Sequence, residues 1–180
     1  MVDGVAASHG RLDILFNNAG VAFFAPIEAV DADHYESQFS INVRGLIETT
    51  QHALPHLKKQ GGVIINNASV VGDDPIPNGS VYSATKAAVI ALGSSWAKEL
   101  AQHKIRVNTV SPGPIETPIF GKTGMSEADI NEMAAGILQS VPLARFGQPE
   151  EVASLVSFLA SAAASYVTGA QFKIDGGMAA

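Results

Sequence analysis

Cysteine is absent from the 180 residues. That excludes disulfides, thiolate nucleophiles and zinc sites built on sulfur, and it fits a reducing compartment. Basic residues are scarce: 11 Lys and Arg stand against 17 Asp and Glu, a net charge of −6. The only adjacent basic pair is Lys58-Lys59, which argues against a surface that tracks nucleic-acid phosphates. No apolar run is long enough to span a bilayer. The opening Met1 to Gly10 lacks the basic and apolar segments of a secretory signal. These absences lead to the expectation of a cytoplasmic chain with neither nucleic acid nor membrane as a partner. Repeats, low-complexity tracts and Ser- or Pro-rich linkers are also missing, so residues 1–180 read as a single domain. With 47% hydrophobic and 16% charged residues, the composition is that of a folded domain that needs no covalent staple.

What is present is an alternation of short apolar runs and long helical stretches, the pattern of a parallel sheet covered by helices. Leu12–Phe16 reads as a strand followed by a tight turn at Asn17-Asn18-Ala19-Gly20. From Asp31 to about Lys59 the spacing is helical, with Asp31 or Asp33 as cap and Pro55 expected to kink or end the helix early. Val63–Asn66 is a β-branched, buried strand. Tyr82 to about His103, rich in alanine and leucine, is a strong helix. Ile105–Val110 is a third strand, expected to stop before Ser111-Pro112-Gly113-Pro114 because proline breaks a ladder. A long excursion over 115–148 holds one helix near Glu127–Leu138. Pro149–Ala160 is a helix with proline in its first turn, and Gln171–Ile174 is the last strand, closed by Asp175-Gly176-Gly177.

Ligands of open α/β sheets bind beyond the carboxyl ends of strands. Asn18, Ala19 and Gly20 lie there, as do Ser69 and the stretch Pro112 to Thr117. Tyr82 and Lys86 are four apart at a helix start and share a face. A tyrosine hydroxyl with a pKa near 10 is a poor proton carrier at neutral pH, and an ammonium beside it favours the phenolate. His52 and His56 are also four apart, but Ala53 stands where a zinc protease carries Glu and no third ligand is evident, so they read as solvated helix residues and no metal site is expected. Asp73-Asp74 reads as a solvated loop, and Trp96 as packing or interface.

As a set, Asn17-Asn18-Ala19-Gly20, Asn42-Val43-Arg44-Gly45, Ser69, Tyr82-Ser83-Ala84-Thr85-Lys86, Pro112-Gly113 and Asp175-Gly176-Gly177 resemble the classical short-chain dehydrogenases/reductases in order and spacing. The resemblance covers essentially the whole chain and the last two-thirds of the family's domain. It implies a Rossmann-like, doubly wound parallel sheet flanked by helices and lacking its first strand–helix units. It also implies NAD or NADP as cofactor and a small carbonyl or secondary alcohol as substrate. Carried over by position, Tyr82 is the general acid and base and Ser69 polarises the substrate oxygen. Lys86 lowers the Tyr82 pKa and holds the nicotinamide ribose, while Asn42 holds a water that links Lys86 to solvent. Asn18, Ala19 and Gly20 pass beside the cofactor, and Pro112, Gly113, Ile115 and Thr117 hold the carboxamide. A homo-oligomer through the helices carrying Asn42 and Tyr82 is expected.

The family's glycine-rich phosphate turn matches none of the 17 glycines. Nor does any residue here correspond to the one that reads the adenosine ribose, so NAD and NADP are not distinguished. The resemblance implies about 70 further residues, three strand–helix units, ahead of Leu12, with Val5-Ala6-Ala7 as the tail of the last helix. A fragment, a mis-assigned start and a truncated paralogue are the three origins open at this point. Two functions follow: an oxidoreductase, or an inactive truncated paralogue that associates with full-length relatives. The terminal Asp-Gly-Gly speaks against the extended, sugar-nucleotide branch. The Tyr–Lys spacing speaks against enoyl reductases, and Val21-Ala22-Phe23-Phe24 lacks the Thr-Arg-Asp of β-ketoacyl carrier-protein reductases. Substrate determinants are expected in Val70–Asn78 and Ile119–Arg145, with Ile76, Phe120 and Met125 hinting at an apolar pocket.

Overall fold

The short β-branched runs form four parallel strands in the computed structural model, which describes residues 1–117 and 127–180. They are β1 (Ile14–Asn17), β2 (Gly62–Asn67), β3 (Ile105–Pro112) and β4 (Gln171–Ile174). Their order in the sheet is β1-β2-β3-β4. Parallel neighbours cannot be joined by a tight hairpin, and helices fill the connections. The helices are α1 (Val2–His9), α2 (Ala32–Phe39), α3 (Leu46–Leu57), α4 (Ser80–Leu100), α5 (Glu127–Gln139) and α6 (Pro149–Ala160). Among the described residues, no helix is long and apolar enough to cross a membrane.

Alternation along the strands divides the core into two layers. Ile64, Ile105 and Val107 point to one face, where Ala53 and Leu57 of α3 and Ala97 and Leu100 of α4 cover them. Val63, Ile65 and Val110 point to the other, against Leu159 of α6 and Ala164. Ile64, Ile65, Val107, Leu57 and Leu159 are fully buried. At roughly 1.5–3 kcal/mol for each such side chain, these two layers hold the sheet in register.

Three expectations about elements need correction. Pro55 lies inside α3 and does not end it, since the helix runs on to Leu57. Pro55 and Gln51 are both exposed, so the carbonyl that loses its partner faces water, while buried Ala53 and Leu57 hold the turn in place. The third strand does not stop at Val110; it pairs with β4 through Pro112↔Ile174. The Val110 carbonyl accepts from Ala68 on the β2 side, so Pro112, two residues on, turns its nitrogen to that same side. β2 has ended by then at Asn67, so no ladder bond is lost. The stretch from Asp31 to Lys59 is not one regular helix. Asp31 caps α2 by accepting from the His34 N–H, but residues Ser40–Gly45 wind with i→i+5 spacing before α3 begins.

Smaller differences lie at boundaries. β1 starts at Ile14 rather than Leu12, and α4 opens at Ser80, two residues ahead of Tyr82, and closes at Leu100. Pro149–Ala160 and Gln171–Ile174 are found as expected. Val2–His9 is helical and ends on Gly10 at φ 72°, the left-handed stop that glycine permits. The His56 Nε2 lies 2.8 Å from the Asp3 carboxylate and joins α1 to α3. That contact holds Asp3 below the usual carboxylate range.

Candidate active site

The carboxyl ends of β1, β2 and β3 and the first turns of α4 meet at one edge of the sheet. Ser69 follows β2 and caps the short turn Val70–Gly72 through a bond from the Val71 N–H. Its own hydroxyl reaches the Pro112 carbonyl at 3.4 Å, so the ends of β2 and β3 are tied at this serine. A Cβ on Gly72 would come within 2.9 Å of the Lys86 carbonyl carbon and 3.0 Å of the Ala87 nitrogen. Only glycine lets this turn lie so close to α4, and that approach brings Ser69 up to Tyr82.

Lys86 is buried, with 6% of its surface exposed. Its Nζ donates to the Asn67 carbonyl at 2.9 Å and lies 5.7 Å from the centroid of the Tyr82 ring. Burial pushes the ammonium down to about 8. The Tyr82 phenol is raised above its ordinary value: burial dominates, and a hydrogen bond with Ser69 opposes it. In this state the net push on Tyr82 is therefore upward, and Ser69 is the group that acts against it.

Asn42 sits in the i→i+5 winding and is 2% exposed. Its Oδ1 accepts from the Val21 N–H at 2.8 Å, and its Nδ2 donates to the Val21 carbonyl and to Thr85 Oγ1. Both amide hydrogens are thereby committed, so this side chain can take a further partner only as an acceptor. A Cβ on Gly20 would meet Asn42 Oδ1 at 3.3 Å and Lys86 Nζ at 3.5 Å. The three residues thus share a small cradle that any larger side chain would fill.

The remaining candidates follow the carboxyl ends of β1 and β3 in the chain. Asn18, Ala19 and Gly20 are exposed, and Asn18 Oδ1 accepts from Asn67 Nδ2 at 2.7 Å. Gly113 passes against Asp175, where a Cβ would lie 2.8 Å from its Cα. Ile115 is fastened to Gly147 by a parallel bridge, and Thr117 is exposed. Phe120 and Met125 lie outside the described residues.

Three features of the candidate site escaped the reading of the sequence. Asn67 receives Lys86 and holds Asn18; its place two residues before Ser69, at a strand's carboxyl end, could have marked it. The wide helical winding around Asn42 has no sequence signal. Nor does the doubly bonded Val21, which orients Asn42 through its backbone alone.

The residues present fit the nicotinamide-ribose end of a dinucleotide. Gly20 leaves an open cradle, Lys86 has ammonium hydrogens beyond the one given to Asn67, and Asn67 Oδ1 is buried without a partner among the described residues. These supply donors and an acceptor for sugar hydroxyls. The glycine-rich turn that would cradle the pyrophosphate is not among the 180 residues.

The chain is similar to known proteins over nearly its whole length. The family model described as Enoyl-(Acyl carrier protein) reductase matches residues 1–179. The 3-oxoacyl-(acyl-carrier-protein) reductase FabG of Thermotoga maritima is 42% identical over 179 residues, 99% of this chain and 70% of that protein. A short-chain dehydrogenase/reductase mutant from Serratia marcescens superposes with a TM-score of 0.89 at 34% identity, covering 99% of this chain and 70% of its own. The 3-ketoacyl-(acyl-carrier-protein) reductase of Brucella melitensis, complexed with NADH, gives a TM-score of 0.89 at 32% identity, covering 99% and 72%.

Proposed function

The chain belongs to the short-chain dehydrogenase/reductase family of oxidoreductases, and from that premise we propose that it interconverts a small carbonyl and a secondary alcohol with Tyr82 as general acid and base. NAD or NADP is the cofactor. The carrying observation is the run of contacts that joins Ser69 to Tyr82, Tyr82 to Lys86, and Lys86 and Asn42 to the Gly20 cradle. When bound, the nicotinamide supplies or accepts the hydride. Tyr82 gives its hydroxyl proton to the carbonyl oxygen in reduction and takes one back in oxidation. Ser69 turns its hydroxyl from the Pro112 carbonyl toward that same oxygen and polarises it. Lys86 holds the ribose hydroxyls, and its ammonium favours the developing phenolate. Asn42, with both amide hydrogens committed, contributes to proton supply through its acceptor positions. Asn18, Ala19 and Gly20 line the cofactor's path, while Pro112, Gly113, Ile115 and Thr117 hold the carboxamide. The helices carrying Asn42 and Tyr82 build a homo-oligomer, and the chain works in a reducing, cytoplasmic setting.

Relatives named as acyl-carrier-protein reductases support carbonyl reduction as the chemistry. The residues Val21-Ala22-Phe23-Phe24 speak for a different carbonyl substrate. The test joins the amino-terminal segment of the Thermotoga maritima reductase ahead of Met1. This fusion should turn over carbonyl substrates with NADH or NADPH. Its Tyr82→Phe variant should lose about 10²–10⁴-fold in kcat while keeping its cofactor affinity. A variant with more than half the parent kcat overturns the assignment. A second reading, an inactive paralogue that associates with full-length relatives, draws on the uncovered flank of β1. A correctly folded fusion without turnover would favour it.

A further inference from the structure

Phe24 takes no part in the proposed tetrad, yet it is the aromatic neighbour of the proposed proton carrier. Its ring centroid lies 6.0 Å from that of Tyr82, with planes inclined at 74°. This is the edge-to-face arrangement that aromatic pairs prefer. The loop that carries it is bound on alternate residues. Val21 holds Asn42 through both N–H and carbonyl. The Phe23 N–H donates to Gln38 Oε1 at 3.1 Å, and the Ala25 N–H donates to the Asn78 carbonyl at 2.8 Å. Gln38 is fully buried. Phe24 is thus suspended between two fixed residues, and its side chain can rest on Tyr82 without the backbone drifting.

From this placement we propose that Phe24 is a positioning residue: its ring braces the Tyr82 ring and keeps water from the phenol. The inference rests on the assignment of Tyr82 as the proton carrier. Ser69 and Lys86 act on Tyr82 from the turn after β2 and from α4, while Phe24 contacts its ring from the loop after β1. The same loop carries the Val21 that fixes Asn42. One short segment therefore aligns two members of the tetrad. Phe23 is a built-in control. It is as exposed as Phe24, 40% for each, but its ring pairs with His34 at 6.5 Å.

The test needs neither cofactor nor turnover. In a Tyr35→Phe, Tyr166→Phe background, Tyr82 is the only tyrosine of the three. Nitration by tetranitromethane, followed by intact mass at pH 7 to 9, then reports the phenolate of Tyr82 and its access to reagent. The lack of cysteine removes the competing thiol reaction. Phe24→Ala should raise the nitration rate at least about threefold, the gain in phenolate that accompanies a pKa lower by about half a unit. Phe24→Trp should stay near the parent, and Phe23→Ala should leave the rate unchanged. Thermal unfolding confirms that each variant is folded. Two results overturn the proposal: a Phe24→Ala rate within experimental error of the parent, or equal acceleration by Phe23→Ala. If nitration responds as expected but the fusion with Tyr82→Phe keeps its turnover, Phe24 positions a tyrosine that does not carry the proton.

Discussion

Lys86 carries a buried charge into the folded state, and its proton couples to stability. In the unfolded chain the amine keeps its proton up to about pH 10.5, whereas in the folded chain it loses it near 8. Between these values the unfolded state binds more protons, so stability rises with pH across the window. Below about 8 the full penalty applies, and above 10.5 it is gone. The penalty is on the order of 3 kcal/mol. Lys86→Met removes the titration, so its unfolding temperature should lose the upward trend that the parent shows from pH 8 to 10. Parallel curves for the two proteins would contradict a depressed Lys86. In the fusion, the same variant should weaken cofactor binding and slow turnover together, because the proposed ribose contact and the charge beside Tyr82 both reside in this side chain. Near-normal cofactor affinity would contradict the ribose contact.

Helix α4 lies tightly against β3 at Gly93. A Cβ on Gly93 would run into Thr109 Oγ1, and both residues are buried. Gly136 in α5 is exposed, and a Cβ there would meet nothing within 4 Å among the described residues. The two glycines therefore respond oppositely to the same change. Gly93→Ala should destabilise by about 1–3 kcal/mol or more, since the crowded atom belongs to a strand and α4 must lift. Gly136→Ala should stabilise by roughly 0.5–1 kcal/mol, the helix preference of alanine over glycine. Urea unfolding midpoints measure both, and a stabilising Gly93→Ala would show that α4 does not lie so close to β3. A lift of α4 would also carry Tyr82 and Lys86 away from Ser69, so Gly93 is tied to the site through the element.

At the scale of the molecule, β1 is an outer strand of the sheet. Ile14 and Phe16 on it are 47% and 37% exposed. An apolar strand with one free edge is a template for association. The 180-residue chain should associate at tens of micromolar, and Phe16→Lys should shift it toward the monomer in light scattering. A parent that stays monomeric would refute this. The pyrophosphate turn is not within these residues, so the chain by itself should not saturate with NAD(H) or NADP(H) at millimolar concentration. Three charge-assisted hydrogen bonds at about 1.5–3 kcal/mol each amount to roughly three to six orders of magnitude in affinity. Isothermal titration decides it: micromolar binding would mean that the nucleotide site is assembled in another way, for instance across a subunit interface.

Much was determined by local sequence. Strand and helix alternation, the helix at Pro149–Ala160 and the strand at Gln171–Ile174 follow from periodicity and turn residues, which act over a few neighbours. The candidate residues could be marked because Asn18 and Ser69 come just after strands, Pro112 ends one, and Tyr82 and Lys86 are one helical turn apart. Tertiary structure decided what depends on partners distant in the chain. Pro55 stays helical because buried residues on either side hold it. Pro112 stays in the ladder because β2 ends before it. Asn42 turns inward because the helix widens around it and Val21 receives it. The protonation of Tyr82 and Lys86 was likewise beyond local reading. Spacing brings an ammonium near a phenol, but only folding determines how much water either group keeps, and here the loss of water moves both.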